Sequence, residues 1–241
     1  MNIIAQIRKL SLWIFFIPLI SINLCLLISV KFDLLENTIF IVDQIGRSGF
    51  SIPYLDGSLS ISRASRTYPQ FLIFKPAMIL TSFLLYFYWK KNNVLINYFN
   101  EISNKNYIFK TFGVLSAVCL AIHSLLLGFD FDIKIFKILR RIVLLGFIIF
   151  EIIAQSLLVL NLYKLKNKIK HLFNQRILNI KITLVAVLII VAFLSIPILI
   201  TKGDVHFKHA LEWNYFIGVI TFYLLTRFFW KKKPLTSNSF Y

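Results

Sequence analysis

Long apolar blocks separated by shorter polar segments dominate the pattern of this chain. Crossing the hydrocarbon core of a bilayer, about 30 Å thick, takes roughly 20 apolar residues in a helix. Six blocks reach about that length, at residues 10–30, 71–89, 108–129, 142–163, 182–201 and 211–230. The pattern predicts an all-α polytopic membrane protein whose residues 1–241 form one domain, a bundle of six transmembrane helices.

The distribution of basic residues predicts the orientation of this bundle. If the N-terminus lies inside, the inner segments hold 16 of the 27 Lys and Arg residues. Cytoplasmic loops carry such an excess, so both termini are expected in the cytoplasm. Ile, Phe, Lys and Asn, which have AT-rich codons, are abundant. That abundance favours a bacterial source and hence the bacterial inner, or cytoplasmic, membrane.

Composition supports a membrane location and argues against nucleic-acid binding. Hydrophobic residues make up 58% of the chain and charged residues 15%, against about 45–50% and 25% in soluble domains. The net charge of +17 could suggest a phosphate-binding surface. However, the basic residues lie between apolar blocks, so membrane lipids are the expected partners and nucleic acid is not. The sequence identifies no protein partner.

The predicted inner loop, residues 164–181, has its own periodicity. Apolar residues recur every three or four positions with lysines between them, at Leu165, Ile169, Leu172, Phe173, Ile177 and Ile180. This spacing is typical of an amphipathic basic helix on an anionic membrane surface. A plain positively charged loop is the alternative.

Familiar catalytic and nucleotide-binding motifs are absent from the sequence, and no cofactor is predicted. One candidate site precedes the second apolar block and contains Ser60, Ser62, Arg63 and Arg66. Hydroxyl and guanidinium groups beside a helix start can bind phosphate oxygens. The alternative is a solvated loop whose arginines meet lipid headgroups.

A second polar segment begins before the last apolar block and contains Asp204, His206, His209, Glu212 and Trp213. On a helix, the two histidines share a face with Glu212 or Trp213. Imidazole and carboxylate groups could transfer protons or bind a metal, or they could form a polar cap with Trp213 as an interfacial anchor. No second ligand motif accompanies them, so no metal site is predicted.

Three polar residues lie inside apolar blocks: His123, Glu151 and Gln155. A charged side chain near the bilayer centre costs about 2.5–3.5 kcal/mol or more, so Glu151 is expected to face the bundle interior. Gln155 is its i+4 neighbour and a candidate hydrogen-bond partner. Glu151 could be functional, or a neutral group that holds helices together.

Two segments resemble a known family. The sequence Ser-Ile-Ser-Arg-Ala-Ser-Arg-Thr-Tyr-Pro-Gln-Phe-Leu-Ile-Phe at 60–74 and His-Ala-Leu-Glu-Trp at 209–213 resemble motifs of the FRAG/DRAM/Sfk family. That family includes damage-regulated autophagy modulators and post-GPI-attachment lipid-remodelling factors. The matching positions are Ser60, Ser62, Glu212 and Trp213, while Leu59 stands where the family has proline. The resemblance implies six spans and work on lipids or lipid anchors.

Three functions stay open. The first is binding of an anionic lipid headgroup at one outward-facing polar site made by residues 60–66 and 204–213. In the second, the same site belongs to a lipid-modifying enzyme with His209 or Glu212 as acid or base. The third is a small-solute transporter that uses Glu151 and His123. The first two require Glu212 or His209 to lie close to residues 60–66.

Overall fold

The computed structural model describes residues 3–31, 52–101, 106–128, 134–201 and 203–231. All regular elements in these ranges are helices, which confirms the all-α prediction. They are α1 (Ile3–Val30), α2 (Pro53–Asp56), α3 (Ile61–Arg66), α4 (Gln70–Asn100), α5 (Ile108–Leu126), α6 (Lys134–Lys164), α7 (Lys166–Ile169), α8 (Gln175–Ile200) and α9 (Val205–Phe229).

Five of these helices, α1, α4, α5, α6 and α8, are long and apolar enough to cross a membrane. The chain is therefore an integral, multi-pass membrane protein. The sixth predicted block lies in α9, which is 25 residues long but is not among the five. Lys208, Glu212 and Arg227 interrupt its apolar run. The sixth span and the orientation of the termini stay predictions.

Several helices extend well beyond the apolar blocks that predicted them. α4 has 31 residues, about 46 Å at 1.5 Å per residue, whereas its block covered 71–89. The extension includes Lys90 and Lys91, and lysine is a good helix former. The helix ends where Glu101 adopts a left-handed conformation at φ 58°. Hydropathy thus located the spans but not the helix ends.

The long helices pack as a bundle whose outer surface is apolar. α1 packs against α4 and α9, α5 packs between α4 and α6, and α8 contacts α6 and α9. Within the five spans, only 22–39% of the residues in the apolar window are buried by protein. Large apolar side chains such as Phe83, Phe193 and Leu194 remain at least 60% exposed. Lipid is the solvent that such a surface requires.

The prediction of one amphipathic helix over residues 164–181 is wrong. α6 ends at Lys164, α7 is one short helix, and α8 begins at Gln175. Between them the backbone pairs with the end of α9, where Asn174 N donates to Phe229 O at 2.9 Å and Lys231 N to Leu172 O at 2.9 Å. The apolar residues Leu165, Ile169 and Phe173 are buried in the protein rather than presented to a membrane surface.

Candidate functional site

Two distant parts of the chain meet in what we call the α3 corner, formed by residues 52–66 and the first three turns of α9. The ring Nδ1 of His209 donates to Gly57 O at 3.0 Å, and Trp213 Nε1 donates to Leu59 O at 2.7 Å. Asn214 Nδ2 donates to Tyr54 O at 2.7 Å. These contacts join residues 54–59 to α9, and Glu212, which faces Ile61 and Ser62, brings the sequence-predicted segment 60–66 to the same corner.

Gly57 allows this close approach. It ends α2 in a left-handed conformation at φ 59°, and its N–H donates to Pro53 O at 3.1 Å. A Cβ atom at this position would lie 1.6 Å from the carbonyl oxygen of His206. Only glycine satisfies both the positive φ and the contact between the two backbones.

α3 is a short helix whose first turn is held from two directions. The Ser60 side chain caps it by accepting from Arg63 N at 3.2 Å. The Glu212 carboxylate faces the backbone N–H groups of Ile61 and Ser62. Further along, Ser29 of α1 donates to Ala64 O at 3.0 Å. The short helix is therefore fixed to both α1 and α9.

Arg63 and Arg66 occupy the last turn of α3, three residues apart and hence on one face of the helix. The Arg63 side chain is exposed and that of Arg66 is half-buried. Neither guanidinium has a hydrogen bond or an ion pair within the described ranges. The nearby Asp56 carboxylate accepts from Ile52 N and Ser58 N, at 3.1 and 2.8 Å.

The remaining predicted residues of this region stay at its edge. Asp204 begins α9 in a left-handed conformation at φ 48°, and its side chain makes no capping hydrogen bond. Asp204 and His206 are both exposed. Among the described residues, no group of three His, Cys, Asp or Glu side chains is placed to hold a metal.

Glu151 forms a second polar cluster, inside the bundle. It is 1% exposed, which confirms that it faces the interior. Its carboxylate accepts from Ser116 of α5, from Gln155 Nε2 at 3.0 Å and from the Tyr223 hydroxyl of α9. Gln155 also donates to Val219 O at 3.3 Å. The expected Glu151–Gln155 hydrogen bond is present, and the cluster joins three helices.

His123 is not part of the Glu151 cluster. It is buried in α5, seven residues after Ser116, which places it about 10 Å further along the helix axis. Its ring faces the backbone carbonyl of Arg140 in α6. The structure thus separates the two residues that the transporter hypothesis combined.

Lys181, the last residue of the predicted inner loop 164–181, is a buried polar residue that the sequence did not single out. This side chain is 0% exposed, and its Nζ donates to Thr226 Oγ1 at 2.7 Å. A signal was available, because Lys181 stands in the buried stripe of α8 that also contains Leu178, Val185 and Leu188. Three-to-four spacing with apolar neighbours places a side chain on the packed face.

Comparisons with known proteins assign no family, because no family model, no curated protein and no solved structure matches this chain.

Proposed function

We propose that the α3 corner binds the anionic headgroup of a membrane lipid. The observation that supports this most is the pair of guanidinium groups, Arg63 and Arg66, with no partner in the described part of the chain. Both stand on a helix that Ser60 caps and that Glu212 and Ser29 anchor. A fixed helix presents its arginines at little cost in conformational freedom, and arginine offers a planar fork to phosphate oxygens.

The surrounding contacts favour binding over catalysis. An acid or base must reach its substrate. His209 is bonded to Gly57 O, and the Glu212 carboxylate faces the first N–H groups of α3. Both side chains therefore hold the α3 corner in place, and α3 carries Arg63 and Arg66.

The proposal extends to the family resemblance. Ser60, Ser62, Glu212 and Trp213 carry that resemblance, and all four lie in the α3 corner. Their proximity supports one shared structural role for the two motifs. We therefore propose that the chain is a FRAG/DRAM/Sfk-type protein that works on lipids, as the motifs imply.

Native mass spectrometry with added lipid tests the headgroup site. Phosphatidylglycerol and phosphatidylcholine with the same acyl chains are titrated onto the purified protein. A hydrogen bond to a charged group contributes about 1.5–3 kcal/mol. The double substitution Arg63→Gln/Arg66→Gln should therefore weaken phosphatidylglycerol binding about tenfold or more and weaken binding of the zwitterionic phosphatidylcholine less.

The matched control is Lys168→Gln/Lys170→Gln, which removes the same charge from two other exposed positions. It should change phosphatidylglycerol affinity much less than the arginine pair. Competition by inorganic phosphate would identify a general phosphate site rather than a lipid site. Equal phosphatidylglycerol affinity in the wild type and the arginine variant would contradict the proposal.

A further inference from the structure

The Lys181 side chain lies in the protein interior with unusual surroundings for a basic group. Besides the bond to Thr226, its Nζ lies 3.8 Å from the ring centroid of Phe222 and 5.5 Å from that of Phe229. Aromatic faces attract an ammonium group. Among the described residues, no carboxylate lies within hydrogen-bonding distance of Nζ.

Among the described residues, Glu151 is the buried acidic residue of that interior. Its carboxylate receives hydrogen bonds from two hydroxyls and an amide, contributed by Ser116, Tyr223 and Gln155. Hydrogen bonds of this kind stabilise the ionised form, whereas burial stabilises the neutral acid. The site therefore contains features that stabilise each protonation state.

The two residues are connected through α9 and α4. Tyr223, which contacts Glu151, and Thr226, which contacts Lys181, are three residues apart on α9, about 4.5 Å along its axis. Tyr88 of α4 touches both, with its hydroxyl 3.2 Å from Thr226 Oγ1 and its ring centroid 5.0 Å from that of Tyr223. Tyr88 and Tyr223 are the titratable groups that act on Glu151.

We propose that Glu151 is a reversible proton-binding site within the bundle, and that the contacts of Tyr223, Tyr88 and Thr226 couple it to Lys181. On release, the O–H bond of the carboxyl group breaks and the proton leaves for water, with no electron transfer. Ser116, Gln155 and Tyr223 then hold the carboxylate. A proton site at this depth is what a proton-linked carrier requires. The proposal does not depend on lipid binding at the α3 corner.

Infrared difference spectroscopy of the full chain in liposomes tests this site, because a buried carboxylic acid has its own C=O stretching band. The wild type should show such a band that disappears reversibly as the pH is raised. Glu151→Gln should remove the band. Lys181→Met keeps the length of the side chain and removes the charge. It should move the pH at which half of this band is lost to a higher value, because a basic group coupled to the carboxylate favours its ionised form.

Glu101→Gln and Lys168→Met are the matched controls, since both side chains are exposed, and neither should change the band. Tyr223→Phe is a second variant, which removes one hydrogen-bond donor to the carboxylate. It should also raise the pH at which half of the C=O stretching band is lost. A band that does not respond to pH while the protein stays folded would overturn the proposal. So would a pH of half-loss that is the same in the wild type, Lys181→Met and Tyr223→Phe.

Discussion

At the scale of single residues, the polar side chains that drew attention in the sequence divide into two groups. Ser60, His209, Glu212 and Trp213 bond mainly to backbone groups and hold the α3 corner together. Arg63 and Arg66 remain available to a ligand. Residue type alone could not separate these groups, because a hydroxyl, imidazole or carboxylate serves equally well as a helix cap or as a binding group.

Gly57→Ala tests the close approach in the α3 corner. The new methyl group would collide with the backbone of His206, and its φ of 59° is unfavourable for alanine. We expect the apparent melting temperature of the purified protein to fall by several degrees, corresponding to a loss of about 1–3 kcal/mol.

Gly203→Ala is the control for Gly57→Ala. Gly203 also has a positive φ, at 130°, but no atom lies within 4 Å of the added Cβ. The melting temperature of Gly203→Ala should therefore reflect backbone strain without a collision. Equal melting temperatures for the two variants would show that the contact with His206 does not contribute.

At the scale of elements, the apolar blocks predicted where long helices occur but not what the short segments do. Each predicted block lies largely within a helix, because a run of about 20 apolar residues has few alternatives in lipid. The prediction of one helix over 164–181 is wrong because the three-to-four periodicity arises from three separate pieces. These pieces bury their apolar residues against the protein. A three-to-four spacing of apolar residues does not show whether those residues face a membrane surface or pack against the rest of the protein.

The helix α3 also shows the limits of the sequence, since it has only six residues and no apolar periodicity of its own. Contacts with Ser29 of α1 and Glu212 of α9 hold it, and both residues lie at least 35 positions away in the sequence. The sequence predicted that residues 60–66 and 209–213 would meet, because both adjoin helix ends. It could not predict which side chains would be engaged there and which would remain available.

Ser60→Ala tests the capping of α3. Loss of an N-cap hydroxyl typically costs about 1 kcal/mol, and α3 carries both proposed ligand-binding arginines. We expect a lower apparent melting temperature and weaker phosphatidylglycerol binding. Ser62→Ala is the control, because the Ser62 side chain makes no hydrogen bond within the described ranges. A Ser60 variant as stable as the Ser62 variant would contradict the capping role.

At the scale of the whole molecule, the protein has two polar regions in an otherwise apolar bundle. The α3 corner lies at the end of the bundle where α1 ends and α9 begins, and the Glu151–Lys181 region lies inside. The first is proposed to meet lipid headgroups and the second to bind a proton. Which membrane face each one is closer to depends on the orientation predicted from the basic residues.

Cysteine labelling tests that orientation. In a chain with Cys25 and Cys119 replaced by serine, single cysteines are introduced at Leu55, which is 81% exposed, and at the exposed Lys168. An impermeant maleimide added to intact cells should label the Leu55 position and not the Lys168 position. Permeabilised cells should label both. Labelling of Lys168 alone in intact cells would reverse the predicted topology.

The contacts of α9 have a consequence for biogenesis. A membrane protein is inserted as it is synthesised, so residues 57–62 reach the bilayer long before His209, Glu212 and Trp213 leave the ribosome. Until then α3 lacks its partners on α9, and Glu151 lacks Tyr223. Assembly of this protein therefore remains incomplete until α9 is in place. A translation product that stops before α9 would expose unpaired polar groups at both sites, the kind of defect that membrane quality-control proteases can recognise.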